Sequence, residues 1–256
     1  VDYYEKAMKT AEKAIADFME GKKSDIMMYE MDKPDVLLWA VWCIQQYSRL
    51  IGAEAAIEKY GKLVDKIVSF ILQGKHCNLD VHDNGLLSIN GRERAMTWMN
   101  SEINGKPVVP RSGYVVEINA LWYNALMFNA EMLMSTGRSA EAGKYTQQAE
   151  LTGRTFKEVF LNEHGYLLDY VDEGYISWSV RPNMLIASSL EYSPLSTPER
   201  KRIFDICTKE LLTPKGMRSL SPKSGGYNPI YQGGQTQRDA AYHQGTVWPW
   251  LSGFYL

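Results

Sequence analysis

The chain is short of cysteine, of charge imbalance and of long apolar runs, and each shortage closes off a class of function. Its three cysteines, Cys43, Cys77 and Cys207, are odd in number and far apart, a pattern with no disulfide framework and no metal-ligand spacing. Cys43 falls inside an apolar helical pattern and reads as a small core residue. There is no Asn-x-Ser/Thr sequon, and with so little cysteine a reducing, cytoplasmic setting is expected. Lys and Arg total 28 against 30 Asp and Glu, a net charge of −2. No basic block stands out, so neither nucleic acid nor an anionic membrane finds an electrostatic footprint. No apolar run approaches the ~18 residues of a membrane span. The sequence also lacks a Gly-x-Gly-x-x-Gly turn, a P-loop, a His-Glu-x-x-His pair and a Gly-x-Ser-x-Gly elbow, and no signal peptide is expected. Its four histidines are scattered, and neither a metal nor a cofactor is expected.

Aromatic residues are what the chain has in abundance, with 16 Tyr and 7 Trp. Many stand beside turns rather than inside periodic runs. That distribution suits a wide cleft walled by rings, although Tyr and Trp also fill ordinary cores. The hydrophobic fraction of 45% and the length fit one large domain spanning residues 1–256. Helical periodicity dominates. Residues 2–20 place Tyr4, Ala7, Met8, Ala11, Ala14, Ile15 and Phe18 on one stripe, and Glu5, Glu12 and Lys13 read as its solvated face. Asp35 can cap a second helix carrying Leu38, Trp39, Trp42 and Cys43. A third runs from Glu54 to Leu72, and helices are predicted at 115–136, 139–160, 183–190 and 197–211, with a last one starting near His243. Residues 75–113, 162–181 and 213–242 are punctuated by Gly, Asn, Asp and Pro. Short strand or turn pieces are predicted near Leu86–Ile89 and Lys106–Val109, and the double glycines Gly225-Gly226 and Gly233-Gly234 mark the last loop. Long loops between helix pairs are usually functional. Strands do not alternate with helices, which argues against a doubly wound sheet and for an all-α toroid with its site at the loop end. The sequence ends in an apolar stretch with no helix-stop residue, so continuation past Leu256 is expected.

The densest chemistry lies in PRSGYVVEINALWYNAL, Pro110 to Leu126. A turn at Pro110 and Gly113 runs into a helix carrying Glu117, Asn119, Trp122, Tyr123 and Asn124. Carboxylates and amides take paired hydroxyl hydrogen bonds, and a flat ring covers the C–H face of a sugar. A helix whose polar residues are merely solvated or structural is the equal alternative.

Four segments in order, TWMN at 97–100, PRSGYVVEINALWYNAL at 110–126, RPNMLIASSL at 181–190 and YHQGTVWPWLSGFYL at 242–256, together resemble the C-terminal glucosidase domain of glycogen debranching enzymes. The resemblance implies an (α/α)6 barrel, incomplete at its C-terminal end in this sequence, and inverting hydrolysis of the α-1,6-linked glucose left at branch points of glycogen or a related branched α-glucan. It implies a general acid directly after the Trp-Met pair, where this chain has Asn100, an amide that cannot deliver a proton. Glu102 or Glu117 then become the carboxyl groups to weigh, and Glu117 reads more readily as a hydroxyl-gripping carboxylate than as the acid. The general base is implied to lie beyond residue 256. Asp35 resembles a residue gripping a glucose hydroxyl, with a helix N-cap as the alternative. Trp39 and Trp98 are candidate pocket walls, and Arg111 a candidate bidentate holder of Glu117 or of the loop. Asn119, Trp122, Asn183 and Gln244 are candidate sugar contacts, Arg181 a structural residue, His243 equally a ligand or a structural residue, and Trp248 the preferred stacking platform. Loss of catalysis with glucan binding retained, or another enzyme of the same fold such as a glucoamylase or trehalase, are the competing readings.

Overall fold

The computed structural model describes residues 2–22 and 31–256, and of residues 2–5 and 7 the backbone alone. Tyr4 and Ala7 of the first predicted stripe, and Glu5 of its solvated face, therefore lie outside the described side chains. Eight α-helices appear among the described residues: α1 (Asp2–Met19), α2 (Val36–Ile51), α3 (Ala53–Leu72), α4 (Val116–Ser135), α5 (Ser139–Phe160), α6 (Asn183–Ser189), α7 (Thr197–Glu210) and α8 (Gln235–Tyr242). The 3₁₀ turn Pro249–Phe254 follows them. About half the chain is helical. The middle of the fold is α4, where fifteen of twenty residues are buried. A helix buried on all sides needs neighbours on all sides, and α2, α3, α5 and α6 all pack against it. Helix α7 starts in a reciprocal cap, the Ser196 N–H donating to the Glu199 carboxylate at 2.6 Å, with Pro198 in its first turn. That arrangement supplies partners for otherwise orphaned N–H groups.

Between the helices lie short antiparallel strands, and here the structure corrects the all-α expectation. Five of them, β1 (Asp80–Val81), β2 (Leu87–Ile89), β5 (Gly113–Val115), β6 (Tyr170–Asp172) and β7 (Tyr175–Ile176), form one sheet in the order β1-β2-β5-β6-β7. The register aligns Ser88 with Tyr114, Tyr114 with Val171 and Val171 with Ile176. A hairpin, β3 (Glu102–Ile103) with β4 (Lys106–Pro107), and a sheet of β8 (Leu212–Thr213), β9 (Gly216–Arg218) and β10 (Val247–Trp248) complete the set. Strands of two or three residues carry no readable period-2 pattern, so only the pieces predicted near Leu86–Ile89 and Lys106–Val109, where β2 and β4 lie, were legible in the sequence. A closed toroid of six helical hairpins needs more helices than the eight found among the described residues.

Three local expectations are also corrected. The segment 235–242, read as loop, holds α8, and in place of the helix predicted to start near His243, HQGTVWPW runs through a turn into β10 and the 3₁₀ segment. Gly245, at φ +146°, and Pro249 explain the break. Cys43 is exposed, and Cys207 is the buried cysteine. Asp35 precedes α2 in helical conformation and makes no side-chain capping bond. No described helix is long and apolar enough to cross a membrane.

Candidate active site

Strand β5 runs directly into α4, so Arg111, Gly113 and Glu117 fall within a single strand-to-helix junction. Two glycines make the junction possible. Gly113 has φ +72°, and a Cβ there would stand 2.3 Å from the Val171 carbonyl oxygen of β6. A Cβ on Gly91 would stand 1.8 Å from the Arg111 carbonyl oxygen. Any side chain at either point would push the strands apart. Strand β6 enters the junction through a bulge. The Asp169 N–H donates to the Ser177 carbonyl at 3.1 Å, while the Ser177 N–H donates to the Tyr170 carbonyl at 3.0 Å. Two residues thus face one, and such bulges re-aim a side chain; here the one re-aimed is Asp169.

Arg111 is the hub. Its guanidinium is sealed from solvent and donates from Nε and Nη2 to both Asp169 oxygens, each at 2.9 Å. It also donates from Nη2 to Glu117 Oε2 at 2.6 Å and from Nη1 to Glu117 Oε1. Asn183, at the start of α6, donates to Asp169 Oδ1 at 2.8 Å and accepts from the Trp98 indole N–H at 2.8 Å. The network therefore reaches outward through Asn183 to an aromatic ring. A second buried guanidinium, Arg181, lies 3.7 Å from Asp169 and donates to the Ser219 and His243 carbonyls and to Gln244 Oε1. Burial pushes Arg181 down to about 10. Two guanidiniums against two carboxylates leave the buried group near neutral, and every member has partners, which a buried ion network requires. Asp35 is a third buried carboxyl with no guanidinium of its own. Burial first, then the nearby Glu117 charge, push it up to about 7.

Above this network stands an aromatic cleft of roughly 400 Å³, walled by Trp39, Trp42, Trp98, Trp250 and Phe254. Trp39 and Trp42 meet edge to face at 5.6 Å, Trp98 and Trp250 at 5.1 Å, and Phe254 lies 5.6–6.0 Å from Trp39, Trp42 and Trp250. His243 sits behind Trp98, at 5.3 Å, with Trp248 stacked on its other side at 5.7 Å. Burial, then the Arg181 and Arg111 charges, push His243 down to about 3, so it is neutral and no proton donor at ordinary pH. Its Nδ1 has no hydrogen-bond partner among the described residues. A separate hollow of roughly 370 Å³ opens on the outer face of the five-stranded sheet and shares no lining residue with the cleft.

A family profile described as amylo-alpha-1,6-glucosidase matches residues 17–256. The chain belongs to that family. It is similar to a glycogen debranching enzyme of Saccharomyces cerevisiae, with 28% identity over 73% of this chain and 15% of the relative; the chain thus spans a small part of that relative's length. Among solved structures it is similar to a GH78 family rhamnosidase of Bacillus sp. GL1, with a TM-score of 0.53 and 17% identity over 68% of this chain and 17% of that one. That likeness extends to the fold alone.

Most of the residues singled out from the sequence separate into three groups. Trp39 and Trp98 wall the cleft, and Asp35 is tied to Trp39 through the backbone, the Trp39 N–H donating to the Asp35 carbonyl at 2.8 Å. Arg111, Glu117, Asn183, Gln244 and His243 form or adjoin the polar network behind it. Asn119 and Trp122 point elsewhere. Asn119 is buried and pairs with the backbone of Leu87, accepting at 2.7 Å and donating at 2.9 Å, so it pins β2 to α4. Trp122 is wholly inside the hydrophobic core. Glu117 is likewise inaccessible, with both oxygens committed to Arg111; it can neither reach a glycosidic oxygen nor grip a sugar. Glu102 accepts from the Ala95 N–H at 2.8 Å and braces the loop. Asn100 is exposed at the loop end. Trp248 is half-buried, donating to the Tyr242 carbonyl at 3.1 Å, and Trp250 takes the position in the cleft instead. Sequence reading gave no role to Asp169, because a bulge has no local signature. Trp42, also given no cleft role from sequence, had a signal that could have found it, since it lies one helical turn from Trp39 and so shares its face.

Proposed function

We propose that this chain is the sugar-binding and hydrolytic part of a debranching protein, acting on the α-1,6-linked glucose at branch points of glycogen or a related α-glucan, by inversion, in the cytoplasm. The aromatic cleft is the observation that carries the reading. Its five rings offer flat apolar faces to the C–H face of a pyranose, and the polar groups behind them are fixed in place by Arg111 rather than free to collapse. Asp35, carrying its proton up to about pH 7, can both donate to and accept from sugar hydroxyls. Membership of the amylo-alpha-1,6-glucosidase family and similarity to the yeast debranching enzyme support the substrate class.

Inverting hydrolysis needs a carboxylic acid to protonate the leaving oxygen and a carboxylate, ~6.5–9.5 Å away, to activate water. At the position that the family resemblance gives to the acid stands the exposed amide of Asn100. This favours a second reading, a glucan-binding domain with weakened catalysis. Asn100→Asp, tested in the whole natural protein with glucose release from a phosphorylase limit dextrin, separates the two. A rise in kcat of about 10²–10⁴-fold, the usual worth of a positioned general acid, supports weakened catalysis at an otherwise complete site. Release by the natural protein at full rate, unchanged by the substitution, assigns the proton to another carboxyl group. No release in either form leaves the binding reading.

A further inference from the structure

We infer that Tyr231, carried on the glycine-bounded loop 225–234, forms an outer stacking subsite for the α-glucan chain that leaves the aromatic cleft, and so sets a preference for long over short chains. The inference rests on the cleft being the sugar site. The loop, GGYNPIYQGG, contains no charged residue, which suits a neutral polyhydroxyl chain and not an anionic partner. Its glycines at 226 and 233 stand at φ +79° and +92°, backbone conformations that fix the loop's two bends. Both ends are tied down. The Asn228 N–H donates to the Gln244 carbonyl at 2.6 Å, and Arg238 donates to the Gly233 carbonyl at 2.6 Å. Between the ties the tip projects Ile230 and Tyr231, 63% and 43% exposed.

Tyr231 is joined to the cleft by rings. It lies 5.6 Å from Tyr242, which lies 4.7 Å from both Trp248 and His243, and His243 lies 5.3 Å from Trp98 in the cleft wall. Apart from Tyr231, the rings of this run are half-buried or buried. An open aromatic face at the outer end of a continuous run of rings is where a sugar chain too long for the cleft would next make contact. Loop residues with exposed rings on a tethered frame are also where binding specificity usually resides.

The test is calorimetric titration of the whole natural protein with maltotriose and with maltoheptaose, comparing Tyr231→Ala, Tyr231→Phe and Trp98→Ala. Tyr231 is at the surface, so these variants at 231 keep the fold. We expect Tyr231→Ala to weaken maltoheptaose binding about fivefold to tenfold, as loss of a ring contact does, and to leave maltotriose within a factor of two. Tyr231→Phe should bind like the natural protein, because stacking needs the ring and not the hydroxyl. Trp98→Ala should weaken both sugars. Equal or absent loss at the two lengths in Tyr231→Ala, with Trp98→Ala still defective, overturns the subsite alone. Binding indifferent to Trp98→Ala, or no binding of either sugar, overturns the cleft reading and the subsite with it.

Discussion

At the scale of the residue, the site depends on one arginine. Arg111 neutralises Glu117 and Asp169 from a position with no access to water, and neither carboxylate could remain charged there alone. Arg111→Leu should therefore cost about 3–5 kcal/mol of stability, read from urea unfolding. A loss under 1 kcal/mol would mean that the two carboxylates find other partners. Asp35 makes the complementary prediction. Its folded-state pKa of about 7 exceeds the unfolded value of ~3.9, so the folded state holds a proton that the unfolded state has released. The stability linked to that proton is complete below pH ~4 and is lost as pH rises to about 7. Asp35→Asn removes this dependence, and its stability relative to the natural chain should climb between pH 5 and pH 8 by on the order of a few kcal/mol. Parallel pH profiles for the two chains would contradict the assignment.

At the scale of the element, the junction of β5 with α4 needs glycine where β6 passes. Gly113→Ala forces a side chain into positive φ and within 2.3 Å of the Val171 carbonyl oxygen. A loss of at least ~2 kcal/mol is expected, with hydrogen-exchange protection falling in β5 and β6 before it falls in α3. Uniform loss across the fold would contradict the junction's local role. The same junction shows what the sequence could and could not reveal. Helices α1 to α7 were legible because each repeats its apolar residues at helical spacing over several turns, or, for α6 and α7, opens on Asn183 just after a proline or on Ser196. The turn at Gly113 was legible from its glycine. Beyond the piece predicted near Leu86–Ile89, which is β2, the five-stranded sheet was not, since its strands are too short to alternate, and without the sheet there was no means of seeing the bulge that turns Asp169 inward. Asn119 and Trp122 misled for a related reason. Helical spacing places them on a face, but which face meets a cleft and which meets β2 and the core depends on tertiary packing around α4.

At the scale of the whole molecule, a helical frame built around α4 presents its loops on one another, and the segments 97–100, 181–190 and 242–256 converge on the rings of Trp98 and its neighbours. The parts quoted from sequence are brought together, but with a division of labour that spacing alone does not show. Aromatic residues face the opening, and the acidic residues are withdrawn behind them to hold the walls. Asn183 links the two layers by donating to Asp169 and accepting from Trp98. Asn183→Leu should accordingly raise KM for a branched glucan severalfold while leaving the melting temperature lowered by only a few degrees, the effect of ~1–2 kcal/mol in a domain of this size. An unchanged KM would detach the network from the cleft.

The central claim is that the aromatic cleft holds the α-1,6-linked glucose of a branched glucan. Glucose release from a phosphorylase limit dextrin by the whole natural protein, followed by NMR and compared with Trp98→Ala, addresses it most directly. The account predicts β-glucose as the first product, with release strongly reduced in Trp98→Ala. α-Glucose as the first product, or release at the same rate in the Trp98 variant, would contradict it.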